Sequence, residues 1–338
     1  MMDFDHGASD VPVEGFHPPR YLASAHLQSV LASSPMRRGF LRRLVRPLLE
    51  RSQDVILDCG DGVRLHGYHA AAADRPRGLV LLLHGWEGSA DAMYVLSTGQ
   101  RLLDLGFDVF RLNLRDHGPS HHLNPGLFHS NRIGEVVNAV AAVQSRFRPP
   151  HLMLAGFSLG GNFCLRVAAR APAAGIELRQ VVAICPVLEP THTLEALEQG
   201  WVLYRQYFVR KWRRSLRRKQ LCFPELYDFT ELLRLPTLTE MTDYLVQNHT
   251  GFGDLRRYLE GYALTRDALA GLDVPSQIIS TADDPMIPAS DLRRLSPGPA
   301  LATSVTERGG HCGYVDTLGA TSWAERQICR LIERAVAE

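Results

Sequence analysis

The 338-residue sequence lacks a long hydrophobic run, a strong charge bias and an apolar N-terminal signal core. No stretch approaches the roughly 18 consecutive apolar residues that a membrane-spanning helix needs. The first residues, MMDFDHGASDVPVEGF, are acidic rather than apolar, so we expect a cytoplasmic protein. With 37 Lys and Arg against 36 Asp and Glu, the net charge of +1 gives no reason to expect nucleic acid as a partner.

The cysteines and histidines form no recognisable metal pattern. The six cysteines are scattered without a C-x-x-C pair, which is typical of buried thiols in a reducing compartment and argues against a zinc or disulfide framework. His117, His121, His122 and His129 crowd one loop, but no carboxylate or cysteine pattern completes a site there. We therefore predict no metal and no cofactor, and assign these histidines to a hydrogen-bonded loop beside the functional site.

Short apolar strands alternate with amphipathic helices, which predicts a mostly parallel, doubly wound α/β sheet. A hairpin turn at Asp61-Gly62 joins the first two strands. The later strands are expected within 78–85, 107–115, 151–157, 180–186, 276–284 and 301–310. Helices are expected at 92–106, 132–147 and 159–170, near 290–295, and from about Asp316 to Val336.

The same alternation divides the chain into four segments. Residues 1–50 form an N-terminal extension with a basic amphipathic helix at 40–50, and residues 51–188 and 270–338 form the two parts of the core. Residues 189–269, between the two parts, are rich in helix signals and poor in strand signals. An insertion of that size between two core strands predicts a helical cap over a functional site.

The stretch GFSLG, residues 156–160, places Ser158 between a predicted strand and a predicted helix. In that context the G-x-S-x-G pattern indicates a nucleophile elbow, in which a strained serine stands clear of the sheet and glycines two positions away avoid a collision. The alternative is an ordinary tight strand-to-helix turn. We favour the elbow, because the α/β pattern surrounds it on both sides.

A serine nucleophile needs a base and an acid, and in such folds the acid precedes the histidine along the chain. His311 lies in the glycine-rich stretch GGHCG, which we expect to form a mobile, exposed loop before the last helix. Asp283 and Asp284 both follow the preceding strand. Asp284 stands in D-P-x-x-P, which resembles the acid turn of many such hydrolases, so we favour Asp284 as the acid and Asp283 as a turn cap.

The chemistry also needs two preset N–H donors for the developing oxyanion. The N–H groups of Leu159, directly after the serine, and of Trp86, after the third strand, are the candidates. His84 is expected to be a structural residue of the Trp86 loop rather than a second base. Cys312 is adjacent to the predicted base, but the serine leaves no need for it as a nucleophile.

Several motifs, in this order, resemble the YheT-like branch of the α/β-hydrolase superfamily: HGWEGSADAMY, NLRDHGPS, GFSLGGN, DDPMIP and GGHCGY. That branch includes bacterial YheT esterases, plant embryogenesis-associated proteins and abhydrolase-domain phospholipases of animals. YLASAHLQSVLAS and TLTEMTD also resemble branch segments, so the likeness runs from about residue 16 to 320. It implies an α/β-hydrolase fold, a Ser158–Asp284–His311 triad and ester hydrolysis. Two departures concern the substrate pocket, namely the loop RDHGPSHHLNPGLFHS and Met241 in place of a more usual phenylalanine.

We therefore predict a serine hydrolase that cleaves small-molecule or lipid carboxylic esters of short to medium acyl length through an acyl-enzyme on Ser158. One alternative is a phospholipase or acyltransferase acting at a membrane surface, and another is a non-catalytic lipid-binding protein on the same fold. The basic, aromatic-rich segment 204–219 bears on this choice. We favour a solvated face with inward aromatics over contact with anionic lipid, and lipid over nucleic acid, while the basic stretch 37–46 adds weight to lipid contact.

Overall fold

The structure, a computed structural model, describes residues 15–33, 41–72, 75–317 and 322–337. The strands of its sheet are β1 (Ser52–Asp58), β2 (Arg64–Ala70), β3 (Leu79–Leu83), β4 (Asp108–Asn113), β5 (Leu152–Phe157), β6 (Leu178–Ile184), β7 (Ser276–Thr281) and β8 (Leu301–Thr306). The helices that build the core and the site are α1 (Ala25–Ser33), α2 (Arg46–Arg51), α3 (Met93–Asp104), α4 (Ile133–Phe147), α5 (Leu159–Ala168), α6 (Pro190–Gln199), α7 (Val202–Cys222), α8 (Leu238–His249), α9 (Leu255–Glu260) and α10 (Trp323–Ala337).

The eight strands form one sheet in the order β1-β2-β4-β3-β5-β6-β7-β8. β2 pairs antiparallel with both β1 and β4, and all the remaining neighbours are parallel. Asp61 takes a left-handed φ of 51° at the β1–β2 turn, between two glycines that also have positive φ. The predicted hairpin and the mostly parallel, doubly wound sheet are confirmed.

Successive side chains of the central strand β3 point to opposite faces of the sheet. Leu79, Leu81 and Leu83 join the hydrophobic cluster that contains α4 and α5. Val80 and Leu82 join the cluster that contains α3 and α10. All five are fully buried, as expected for a parallel strand covered on both faces. Because β3 to β8 pair in parallel, their carboxyl ends meet at one edge of the sheet, where loops and functional groups can gather.

One helix prediction was wrong at its start. The last helix, expected from about Asp316, begins at Trp323, and residues 318–321 lie outside the described chain. The backbone N–H of Trp323 donates to the Tyr314 carbonyl at 2.9 Å and its ring stacks on that of Tyr314, so the chain folds back before the helix starts. The helix expected near 290–295 is present at Ala289–Arg294, as a 3₁₀ helix.

The basic stretch near the N-terminus packs on the sheet with its apolar side. Residues 37–40 lie outside the described chain, 41–44 are helical, and α2 follows after a turn at Val45. Leu41, Val45 and Leu48 are buried in the same cluster as α3. On the same segment Leu49 is 43% exposed.

Helices α6 to α9 all lie between β6 and β7, which places a helical block in the predicted insertion. The longest of them, α7, has 21 residues and many charges. Among the described helices, none combines the length and the apolar character that crossing a bilayer requires.

Candidate active site

Ser158 occupies the sharp turn between β5 and α5. Its backbone angles, φ 55° and ψ −121°, lie in a region that residues other than glycine rarely adopt. The flanking glycines make this turn possible, because a Cβ on Gly156 would lie 2.4 Å from the Gly160 carbonyl oxygen. A Cβ on Gly160 would lie 2.5 Å from the carbonyl oxygens of Leu83 and His84. The strain and both close approaches are those expected of a nucleophile elbow.

Replacing Gly160 by alanine is expected to lower the free energy of unfolding by about 2–3 kcal/mol, because the new methyl group would collide with backbone oxygens that cannot rotate away. Gly134→Ala is the matched control. Gly134 lies near the start of α4, and a Cβ added there would meet nothing within 4 Å, so alanine should raise stability by about 0.5–1 kcal/mol. Urea denaturation measures both, and equal stability of Gly160→Ala and the wild type would contradict the tight turn.

His311 and Asp284 are brought together at the same sheet edge. The Nδ1–H of His311 donates to Oδ2 of Asp284 at 2.8 Å. The other carboxylate oxygen of Asp284 accepts from the backbone N–H groups of Met286 and Ile287 at 2.8 and 3.0 Å. The carboxylate of Asp284 is almost fully buried, and these three hydrogen bonds fix its position. With Nδ1 committed to Asp284, Nε2 is the nitrogen of His311 that is free to move a proton.

Asp283 does not contact His311 but holds the loop on which that residue lies. Its Oδ1 accepts from the Thr281 hydroxyl at 2.6 Å and from the Gly310 N–H at 2.9 Å. This arrangement differs in detail from a simple turn cap, because it ties the end of β7 to the loop after β8. Asp283 therefore acts on the neighbouring histidine through the backbone.

Helix α1 supports the same loop, a contact that was not predicted from the sequence. The N–H of His311 donates to Oγ of Ser29 at 2.8 Å. The Gln28 amide donates to the Val315 carbonyl at 2.8 Å and accepts from the Val315 N–H at 2.7 Å. The expectation of an exposed loop was wrong, since the His311 side chain is only 13% exposed. The segment AHLQS belongs to a stretch that resembles the family, but no neighbouring residue indicated that it contacts the loop of His311.

No hydrogen bond joins Ser158 Oγ to His311 within the described residues. The Nε2 of His311 faces Sγ of Cys312 at 3.9 Å instead. Burial raises the pKa of the Cys312 thiol well above its ordinary value, so this thiol is protonated at neutral pH and is not a competing nucleophile. Loose geometry between nucleophile and base is common before substrate binds.

Of the two predicted oxyanion donors, Leu159 directly follows the serine and Trp86 lies in the loop after β3. Among the described residues, the backbone N–H groups of Trp86 and Leu159 have no hydrogen-bond acceptor. The neighbours of Trp86 are both engaged, since Gly85 N–H donates to the Tyr94 hydroxyl and Glu87 N–H donates to Nε2 of His117. A Cβ on Gly85 would lie 3.2 Å from the Cβ of the serine, so this loop packs directly against it.

Two buried, neutral histidines brace that loop. His84 donates from Nδ1 to the Gly85 carbonyl at 2.7 Å and accepts at Nε2 from the Leu114 N–H at 3.2 Å. His117 donates from Nδ1 to the Arg115 carbonyl at 2.7 Å. Burial lowers the pKa of His84 well below its ordinary value and that of His117 to about 4. Protonation of either Nε2 would break a hydrogen bond, so both residues are structural, as predicted for His84.

Acid is therefore expected to destabilise the folded chain. The pKa of His117 is about 4 when folded and about 6.5 when unfolded, so between pH 6.5 and 4 the unfolded chain takes up this proton and the folded chain does not. Its contribution is complete above pH 6.5 and is lost as the pH falls toward 4, with a ceiling of about 3 kcal/mol. Urea denaturation at pH 7 and 4.5 should show a smaller fall for His117→Asn than for the wild type. The exposed His122→Asn should fall as the wild type does, and identical falls in all three would contradict the assignment.

A cavity of about 760 Å³ extends from Ser158 toward the inserted helices. Its walls are mostly apolar and include Leu194, Leu197, Leu238, Leu245, Met286 and Ile287. The Trp86 ring stacks on Phe208 and meets Trp212 edge-on, both at 5.3 Å, which joins the donor loop to α7. This volume is ample for a drug-sized or lipid-like molecule.

The segment 204–219 lies within α7 and faces the cavity with part of its surface. Tyr204 and Trp212 are buried as expected, whereas Tyr207 is 40% exposed. Lys219 is also buried, and its Nζ donates to Asp116 at 2.7 Å and to three backbone carbonyls of the loop after β4. This buried ion pair anchors α7 to the core. The sequence did not predict this ion pair, because nothing in the segment 204–219 distinguishes Lys219 from its other basic residues.

The comparison with known proteins agrees with this architecture. A family model described as alpha/beta hydrolase fold matches residues 78–317. Monoacylglycerol lipase ABHD2 of Bos taurus is 23% identical over 218 residues, which are 57% of this chain and 49% of that protein. An uncharacterized protein of Rickettsia prowazekii is 30% identical over 136 residues, which are 38% of this chain and 53% of that one. The chain spans about half the length of the curated relatives it matches.

Solved structures share the fold at low sequence identity. The Pyrococcus furiosus esterase Pf2001 superposes with a TM-score of 0.55 and 16% identity, covering 84% of this chain and 93% of that one. A bacterial membrane phospholipase A superposes with a TM-score of 0.55 and 17% identity, covering 92% and 95%. Since the family model covers most of the sequence and the sheet has the matching topology, the chain belongs to the α/β-hydrolase fold family.

Proposed function

We propose that this protein is a serine hydrolase that cleaves carboxylic esters through an acyl-enzyme on Ser158. One observation carries the proposal: a single cavity is lined by the strained serine, by Trp86 and Leu159, and by His311, whose Nδ1–H donates to Asp284 at 2.8 Å. Among the described residues, the N–H groups of Trp86 and Leu159 have no acceptor. Those are the parts that acyl transfer requires, namely nucleophile, oxyanion donors, base and orienting acid.

In this mechanism the His311 ring turns its Nε2 from Cys312 toward Ser158 and takes the hydroxyl proton as the serine oxygen attacks the ester carbonyl. The buried Asp284 carboxylate stabilises the imidazolium that forms. The N–H groups of Trp86 and Leu159 stabilise the oxyanion. His311 then protonates the leaving alcohol and activates the water that releases the acid.

The mostly apolar cavity supports an ester with an apolar acyl chain. Short to medium acyl chains, the YheT-like assignment, a cytoplasmic location and a capping role for α6 to α9 belong to the same proposal. The names of the relatives, a monoacylglycerol lipase and an esterase, describe chemistry of the same class in those proteins.

Labelling with a fluorophosphonate probe tests the proposal directly, because such probes react with activated serines. Peptide mapping should place the label on Ser158, and p-nitrophenyl esters of increasing acyl length should report turnover and the size of the pocket. A folded protein that neither reacts with the probe nor hydrolyses any ester of the series would reject the proposal and favour a non-catalytic lipid-binding protein.

A second candidate, hydrolysis of anionic lipid esters at a membrane surface, is favoured by the charge on α7. Lys211, Arg214 and Arg218 are spaced by three and four residues and all line the cavity. Within the described chain Arg214 and Arg218 have no ion-pair partner, while Lys211 donates to the Glu87 carbonyl at 2.9 Å. These cations could neutralise a phosphate or carboxylate on the substrate.

If so, the double variant Arg214→Gln, Arg218→Gln should lower kcat/KM for an anionic lipid ester by roughly tenfold relative to a neutral ester of the same acyl chain. Arg256→Gln is the control, since Arg256 is exposed on α9 outside the cavity. Assays on vesicles with and without anionic lipid provide the measurement. An equal loss on both substrates would instead indicate that the cations serve only the structure of the helix.

A further inference from the structure

Two thiols lie beside the ring of His311. Cys185 directly follows β6, and Cys312 directly follows the histidine. The sulfur of Cys312 lies 3.9 Å from Nε2. The two sulfurs and a ring nitrogen of His311 all lie within 4.8 Å of one another. Among the cysteine, histidine, aspartate and glutamate side chains of the described residues, these three lie close enough together to hold one metal ion.

This set of atoms suits a thiophilic cation. Two sulfurs and one imidazole nitrogen are the ligands that Zn²⁺ and its heavier analogue prefer. Zinc binds sulfur at about 2.3 Å and imidazole nitrogen at about 2.0–2.1 Å, so tetrahedral ligands stand about 3.5–3.8 Å apart. From within 4.8 Å of one another, the three atoms would need to close by at most about 1.3 Å to reach that spacing.

The carboxylate behind the histidine adds to the match. Metal-bound imidazoles commonly donate their second N–H to a carboxylate, which fixes the ring and makes the free nitrogen a better ligand. His311 has that arrangement already, because its Nδ1–H donates to Asp284 at 2.8 Å. His311 and Cys312 line the cavity, whereas Cys185 is buried, so an ion would enter from the cavity side. Three protein ligands would leave the fourth tetrahedral position of the ion for water.

We propose that Cys185, His311 and Cys312 form an inhibitory site for a thiophilic divalent cation such as Zn²⁺ or Cd²⁺. The metal takes the Nε2 lone pair, and the two thiols release their protons to solvent as the sulfur–metal bonds form. With Nε2 occupied, His311 cannot accept the proton of Ser158, and ester hydrolysis stops. The inhibition rests on the proposed function, whereas the metal site itself does not.

The experiment titrates the protein with Cd²⁺ and Zn²⁺ in a redox-inert buffer and follows two signals. One is the rate of p-nitrophenyl ester hydrolysis, and the other is the ultraviolet charge-transfer absorbance of cadmium thiolates, which does not depend on activity. All variants carry Cys222→Ser, because Cys222 is exposed and would bind cadmium on its own. Cys185→Ser and Cys312→Ser test the site, and Cys329→Ser, a buried thiol on α10, is the matched control.

The parent protein, which carries only Cys222→Ser, and its Cys329→Ser variant should be inhibited by the metal and recover with EDTA. Both should also show the absorbance band of cadmium thiolates. Each site variant, compared with its own metal-free rate, should need at least about tenfold more metal for half inhibition and should lose most of the band. A parent that shows no band and no inhibition, or site variants as sensitive as the parent, would overturn the proposal. A cadmium band that depends on both cysteines in a protein without esterase activity would uphold the site and reject the proposed function.

Discussion

Replacing Ser158 by alanine is expected to reduce kcat/KM for a p-nitrophenyl ester by about 10⁴-fold or more, with the fold intact. The serine oxygen is the atom that forms the acyl-enzyme, so its removal leaves no covalent route. Alanine also retains the Cβ, and the N–H of residue 158 can still donate to the Ile184 carbonyl at 2.9 Å, so the turn should persist. Residual activity over water would come from the oxyanion donors and the cavity.

The control for this variant is Ser89→Ala, a second serine that lines the cavity and whose hydroxyl accepts from the Asp91 N–H. It should keep activity within a few-fold of the wild type, while Ser158→Ala should lose both turnover and fluorophosphonate labelling. Circular dichroism and urea denaturation establish that both variants fold. Turnover in Ser158→Ala close to that of the wild type would show that another group is the nucleophile.

The second large effect is expected at Asp284 and not at its neighbour Asp283. Asp284→Asn should lower kcat by about 10⁴-fold, because an amide NH₂ facing His311 favours the wrong tautomer and cannot stabilise the imidazolium. Asp283→Asn should cost less than about tenfold, since an amide oxygen can still accept from Thr281 and Gly310, the two groups that hold this carboxylate now. Both substitutions replace a carboxylate by an amide of nearly the same size, so a difference between them reports the position of the residue.

Steady-state kinetics on one ester substrate decide between the two aspartates. The fluorophosphonate reaction should slow in parallel with kcat in Asp284→Asn, because the serine loses its activation. A larger loss at Asp283 than at Asp284 would mean that the loop rearranges and that the geometry described for His311 does not persist in the working enzyme.

The sheet was predictable because its signals are local. Each buried strand is a short apolar run beside an amphipathic helix, and the fully buried β3 shows this most clearly in LVLLL. The elbow was predictable for the same reason, since two glycines, a serine and the change from strand to helix all fall within a few residues. For the two aspartates, the proline pattern after Asp284 pointed to the residue that contacts His311 in the structure.

The features that sequence reasoning missed depend on partners far along the chain. The partner of Gln28 is Val315, 287 residues away, and that of Lys219 is Asp116, 103 residues away. A glutamine on a short helix or a lysine in a basic helix has no periodicity that would reveal such a contact. The approach of Cys185 to Cys312 is of the same kind, because the fold brings them together and their spacing in sequence carries no motif.

The contact of α1 with the loop of His311 has a consequence for synthesis. A chain leaves the ribosome N-terminal end first, so Gln28 and Ser29 wait for partners that emerge 287 and 282 residues later. Contacts of such high order also slow folding, because a long loop must close before they form. The nascent chain therefore cannot dock α1 on the loop of His311 until Val315 has been made. A shortened chain covering only residues 78–317 would contain Ser158, Asp284 and His311 and would still lack the helix that positions the last of them.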